Sequence, residues 1–302
     1  MKPSNHRRHR ERSLLWPWHP QTLPLAARNE LARGGEQVAF TLTELLVVIG
    51  VIALLAATVG TALATTRPTT LTAQCLNNLR QLGLAFRMYA EDNQGGLVYN
   101  RDGLNAGKSF IDASWAGGWL DFTSSTDNTN TDLLINHTKW PSSAFFGPYL
   151  RTASVFKCPA DRSVVSIGGS RLARARTVAL NNFMGRGSRT WTTPSAYSLY
   201  TRANQMASPA KLFLFLDERE DSINDAFFWT DPDVRFHLVD YPGSYHEGAG
   251  NFIFADGHGE SHRWVDPRTT PPINPGQLIQ LNIFMPGNLD IDWLQEHASE
   301  HR

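Results

Sequence analysis

The chain has 302 residues, 41% of them hydrophobic, and its 28 Lys and Arg balance 28 Asp and Glu. That length suffices for a sizeable core, and a balanced charge without a basic patch argues against nucleic acid as a partner. Gly-x-Ser-x-Gly, His-Glu-x-x-His and Gly-rich phosphate-loop motifs are absent, so the chain is read as non-enzymatic.

Residues 1–39 carry seven Lys or Arg against three acids and include Trp16-Pro17-Trp18-His19-Pro20, which reads as an unstructured tail. Next, Leu45 to Ala64 gives twenty residues with no charge and no proline, enough as a helix to span about 30 Å of hydrocarbon. Basic flanks stay cytoplasmic, so the expectation is a single-pass inner-membrane protein whose remaining chain faces outward. Glu44 heads this run. A carboxylate there needs either a positive partner or a place at headgroup level.

From Thr65 to Thr70 polar residues and Pro68 interrupt the pattern, predicting a kink or short break. Leu71, Cys75, Leu79, Leu82, Phe86 and Tyr89 then recur at spacings of 4, 4, 3, 4 and 3, one apolar stripe on an amphipathic helix. Asp92, Asn93, Gln94, Gly95 and Gly96 form its stop signal. The remainder is rich in Gly, Pro, Asn and Trp, with short apolar runs at Ala210–Leu216 and Asn251–Ala255, which read as antiparallel strands. Four segments follow: a leader, 1–39; a transmembrane or assembly helix, 40–64; an outer amphipathic helix, 65–96; and a β-rich head, 97–302. The expected class is α+β, a long N-terminal α-helix packed on a mainly antiparallel β head with long loops. Residues 121–139 read as an exposed loop, and the tail after Trp293 as solvated.

Only two cysteines occur, Cys75 and Cys158. On an exported face a disulfide persists, so they are expected to pair and fasten the helix to the head; two buried free thiols are the alternative. Further along stands His246, then nine residues, then Asp256-Gly257. Asp-Gly after an apolar strand predicts a tight hairpin turn, with His258 to Val265 returning and His246 bonding loop backbone. His246, Asp256, His258, Glu260 and His262 are also donors that suit a transition metal such as zinc, though an exposed polar strand face explains the period-two trio equally well. Among seven tryptophans from Trp115 onward (Trp115, Trp119, Trp140, Trp191, Trp229, Trp264 and Trp293), two exposed and coplanar would mark a glycan-binding head.

The order Ala39, Phe40, Thr41, Leu42, Thr43, Glu44 and then the apolar run resembles the prepilin-type cleavage and methylation signal of type IV pilins and type II secretion pseudopilins. The H-x9-DG element, with CLNNLRQLGLAFRMYAEDNQG, CPAD, LNNFMG and KLFLFLDE, is similar to that of a large group of exported prepilin-like proteins. The resemblance implies a cut between Ala39 and Phe40 by prepilin peptidase, N-methylation of Phe40, and pairing of Glu44 with the amino group of a neighbouring subunit's Phe40. It implies, as partners, the peptidase, other pilin-like subunits and the inner membrane, in a protein-secretion or pilus-like fibre. Ala39 departs from the family's usual Gly. Because major pseudopilins stabilise their heads with calcium, the resemblance also makes Asp217, Glu218, Glu220 and Asp221 candidate ligands for a structural calcium. The alternative is a surface-displayed glycan- or envelope-binding protein that uses the signal for export alone.

Overall fold

The computed structural model describes residues 41–190 and 194–302, with backbone alone for 55–69. Ala39 and Phe40 lie outside the described residues. The chain divides into two compact units, Met1–Thr58 and Val59–Arg302.

Helix α1 spans Leu42–Asp92. It opens on a capping box: the Thr41 backbone N–H and hydroxyl donate to Glu44 Oε2 at 2.9 and 2.8 Å, and the Glu44 N–H donates to Thr41 Oγ1 at 3.3 Å. In this first unit Leu42, Leu45–Ile49, Val51, Ile52 and Leu54 are all exposed. The helical backbone continues through Pro68, so the break expected there is absent; the missing N–H costs one ladder bond without ending the helix.

Within the second unit the predicted stripe is buried from Cys75 through Leu79, Leu82, Phe86 and Tyr89. The helix ends where its stop signal predicts, with Gln94 and Gly95 left-handed at φ 56° and 81° and the Gly95 N–H closing on Ala90 O at 2.7 Å. Downstream come α2 (Asp132–Ile135), β1 (Val164–Ile167), β2 (Ser170–Ala173), β3 (Val178–Asn181), β4 (Phe213–Asp217), β5 (Phe227–Phe228), β6 (His237–Leu238), β7 (Ala249–Phe254), β8 (Gly259–Arg263), β9 (Ile283–Phe284) and α3 (Leu289–Glu296). The main sheet has the order β5-β3-β4-β7-β8, and β1-β2 and β6-β9 form two small ribbons.

Strand β4 is buried along its whole length because both faces of the main sheet are covered. Phe215 meets Phe86 of α1 at 5.9 Å and Trp115 at 5.0 Å on one face, whereas Phe252 meets Trp293 of α3 at 5.0 Å on the other. A register shift between Phe213 and Phe215 lets Phe213 pack instead on Phe228 and Phe252. The β7–β8 hairpin turns at Asp256-Gly257 as expected. Only Gly257 is left-handed, at φ 93°, and Asp256 Oδ1 caps the turn by accepting the His258 N–H at 3.0 Å.

These findings correct the expected fold class. The second unit is a mostly β domain of three sheets with short helices, and among the described side chains of α1 those buried in its core lie between Cys75 and Ala90. The main sheet is mixed, since β3 and β5 run parallel. Among the described residues no helix is long and apolar enough to cross a membrane, which overturns the single-pass inner-membrane placement. Residues 121–139 are not simply exposed loop, because Asn128, Leu133 and Leu134 are buried. Nor is the tail solvated: Leu294, Gln295, Ala298 and Ser299 are buried.

Candidate metal centre

Four buried side chains from distant parts of the chain converge in the second unit: Cys75, Cys158, Asp217 and His246, whose donor atoms all lie within 4.8 Å of one another. Each is placed by ordinary local structure. Cys75 belongs to the buried stripe of α1. Cys158 follows the short 3-10 turn Ala153–Phe156, and its N–H donates to Thr177 Oγ1 at 2.6 Å. Asp217 ends β4 two residues past Phe215 and so shares the face that α1 covers. His246 precedes a two-residue turn in which Glu247 and Gly248 are both left-handed, at φ 57° and 81°, the pattern of a tight hairpin connection closed by the His246–Ala249 backbone pair.

The donors point at a common centre. His246 Nε2 is 3.3 Å from Cys158 Sγ and 3.3 Å from Asp217 Oδ2, and Cys75 Sγ is 3.9 Å from the same carboxylate oxygen. Supporting groups hold them there. His246 Nδ1 lies 3.2 Å from Thr72 Oγ1, and the Asn251 N–H donates to Asp217 Oδ1 at 2.6 Å. With the ring nitrogen and the second carboxylate oxygen so engaged, Nε2 and Oδ2 are left to face the centre. The bond with Cys158, burial and the neighbouring Asp217 push the Cys75 thiol well up, against a smaller lowering from the Asn251 amide. Gly243 backs the carboxylate closely: a Cβ there would lie 2.7 Å from Asp217 Cγ.

Electrostatically the pocket favours positive charge. Burial alone would lower the His246 pKa, but the bonds to Asp217 and Cys158 outweigh it and raise it to about 10. Cys158 is lowered to about 7, first by its bond with Cys75 and also by His246, against the opposing effect of burial. Two sulfurs, one imidazole and one carboxylate, gathered around one point, can hold a metal ion. The arrangement differs from a Cys-His-Asp nucleophile, in which thiol and acid occupy opposite ring nitrogens; here both approach Nε2, and Cys158 is fully buried.

Several expectations are thereby corrected. Cys75 and Cys158 are free thiols, not a disulfide. His246 binds side chains, and not the loop backbone, at its imidazole. The four acids do not form a calcium cradle. Asp217 turns to the thiols, Glu218 accepts from Ser222 Oγ at 2.7 Å, and Asp221 pairs with Arg219 at 2.7 Å; Glu220 lies by Asp161 instead. Asp256 and His258 pair with each other at 2.6 Å, while His262 stacks on Trp293 at 3.8 Å, so neither histidine joins His246. None of the six described tryptophans is exposed, and Trp191 lies outside the described residues. Sequence reading missed the buried Arg174, Arg176 and Arg219 altogether. Each guanidinium serves loop carbonyls, as when Arg176 Nη2 donates to Gly118 O at 3.0 Å and Arg219 Nη1 to Pro271 O at 2.7 Å.

Compared with known proteins, the chain matches no family model, no curated protein and no solved structure.

Proposed function

We propose that this protein is a non-enzymatic, pilin-like structural subunit, cut between Ala39 and Phe40 by a prepilin peptidase and assembled through its N-terminal helix into a secretion or pilus-like fibre. The carrying observation is the start of α1. Leu45, Leu46, Val47, Val48 and Ile49 are consecutive and all exposed, so the helix presents apolar surface around its whole circumference. Such a surface calls for a partner, and identical helices packed side by side supply one by repetition of a heterologous contact. The metal centre acts structurally in this reading. Its two sulfur donors suit a transition ion and not calcium, which takes oxygen ligands.

Glu44 caps its own helix, and in an assembled fibre its carboxylate also meets the amino group of a neighbouring Phe40. These two roles separate experimentally. Glu44→Gln keeps an acceptor for the Thr41 N–H but loses the charge. The full chain, expressed with its processing machinery, should yield a product beginning at N-methyl-Phe40 by mass spectrometry. The Glu44→Gln chain should be cut equally but recovered in fibres at about a tenth or less of the wild-type level, as loss of a desolvated ion pair implies. An uncut N-terminus, or normal fibres from Glu44→Gln, contradicts the proposal.

A further inference from the structure

We infer that Cys75, Cys158, Asp217 and His246 form a closed, four-coordinate zinc site that fastens α1 to the main sheet and to the Cys158 loop. The inference concerns the second unit alone and does not depend on the fibre reading, since an uncut chain holds the same four donors.

Spacing, donor chemistry and surroundings each support it. Bond lengths of about 2.0–2.3 Å in a tetrahedral zinc site put neighbouring donors about 3.3–3.8 Å apart. The separations of 3.3 Å from His246 Nε2 to Cys158 Sγ and to Asp217 Oδ2 fall in that range, and the 3.9 Å from Cys75 Sγ to Asp217 Oδ2 lies just above it. A disulfide would consume the two sulfurs but leave the Asp217 carboxylate and the His246 imidazole, both buried, aimed at a centre that no longer needed them. A cation there engages all four. Four protein donors with negligible exposure leave no position for water or substrate, which is the condition of a structural zinc and not of a catalytic one. Thr72 on Nδ1 and the Asn251 N–H on Oδ1 supply the outer partners that orient metal ligands. The ligands come from α1, a loop, the end of β4 and the turn before β7, so one ion ties together segments that share no backbone ladder with α1.

The test uses the full chain purified under reducing conditions without chelator. Elemental analysis should find about one zinc per chain, retained on dialysis and released when an organomercurial blocks the thiols. Replacing zinc by Co2+ should give the strong visible bands of tetrahedral cobalt and a sulfur-to-cobalt charge-transfer band. Cys75→Ser should abolish the charge-transfer intensity contributed by that sulfur, but it risks the fold. Thr72→Val, which leaves all four ligands in place, should weaken zinc binding about 10- to 100-fold. A cobalt spectrum of weak octahedral type, metal bound with both thiols still alkylated at the free rate, or a metal-free chain two hydrogens lighter and therefore disulfide-bonded would each overturn the inference.

Discussion

Gly243 and Asp225 show how single positions carry consequences that sequence alone hides. A methyl at position 243 would fall 2.7 Å from Asp217 Cγ and 2.9 Å from Asp217 O, and neither atom belongs to a flexible side-chain end. Gly243→Ala should therefore displace the carboxylate and weaken metal binding at least tenfold in a competition titration, the scale of lost ligand orientation; unchanged affinity would mean the carboxylate is not a ligand. Asp225 is governed by burial, which raises its pKa to about 6 even though it accepts the Gly103 and Phe227 N–H groups at 2.5 and 2.9 Å. Since the folded value exceeds the unfolded one, its contribution to stability is full below about pH 3.8 and is lost as pH rises through about 6. On the order of 3 kcal/mol is involved. Urea unfolding should show Asp225→Asn gaining on the wild type by about that amount between pH 4 and 7, whatever constant offset the substitution adds, and a pH-independent difference would refute it. All four metal donors were visible as candidate residues in the sequence, but they were divided among a disulfide, a calcium cradle and a turn. Their union depends on the face to which Asp217 points and on the fold of the His246 turn, and neither follows from residue spacing.

Among the elements, those with a local cause were the most legible. The stripe Cys75–Tyr89 declared its buried face through its 3.6-residue period, and Leu82 at 0% exposure lies in its middle. Leu82→Ala should cost about 2–5 kcal/mol in denaturant unfolding; a cost below about 1 kcal/mol would place α1 outside the cooperative core. The β4 and β7 strands and the Asp256-Gly257 turn were readable for the same reason, as apolar runs with turn residues between them. The parallel β3–β5 pair was not, because its partners are 47 residues apart and β5 has two residues. The tail misled because Asn288, buried and accepting the Asp290 and Ile291 N–H groups, caps a helix whose sequence looks polar. Glu44 also carried two meanings in the sequence, and its capping box with Thr41 gives it a local role before any neighbour is considered.

At the scale of the whole molecule, the second unit is organised around a mixed sheet whose two faces are closed by α1 and α3, with loops anchored by buried arginines. Many of those loops lack regular ladders, and long-range side-chain bonds replace them: Asn181 Nδ2 donates to Phe213 O at 2.9 Å and to Ala298 O at 2.8 Å. A fold of this kind gains from a cross-link at the place where helix, strand end and loop meet, and metal binding there is coupled to folding. The most direct test of that centre is zinc K-edge X-ray absorption on the purified full chain. The expected spectrum is that of a four-coordinate shell with two sulfurs at about 2.3 Å and two nitrogen or oxygen donors at about 2.0–2.2 Å; a shell of oxygen and nitrogen donors without sulfur would rule the site out.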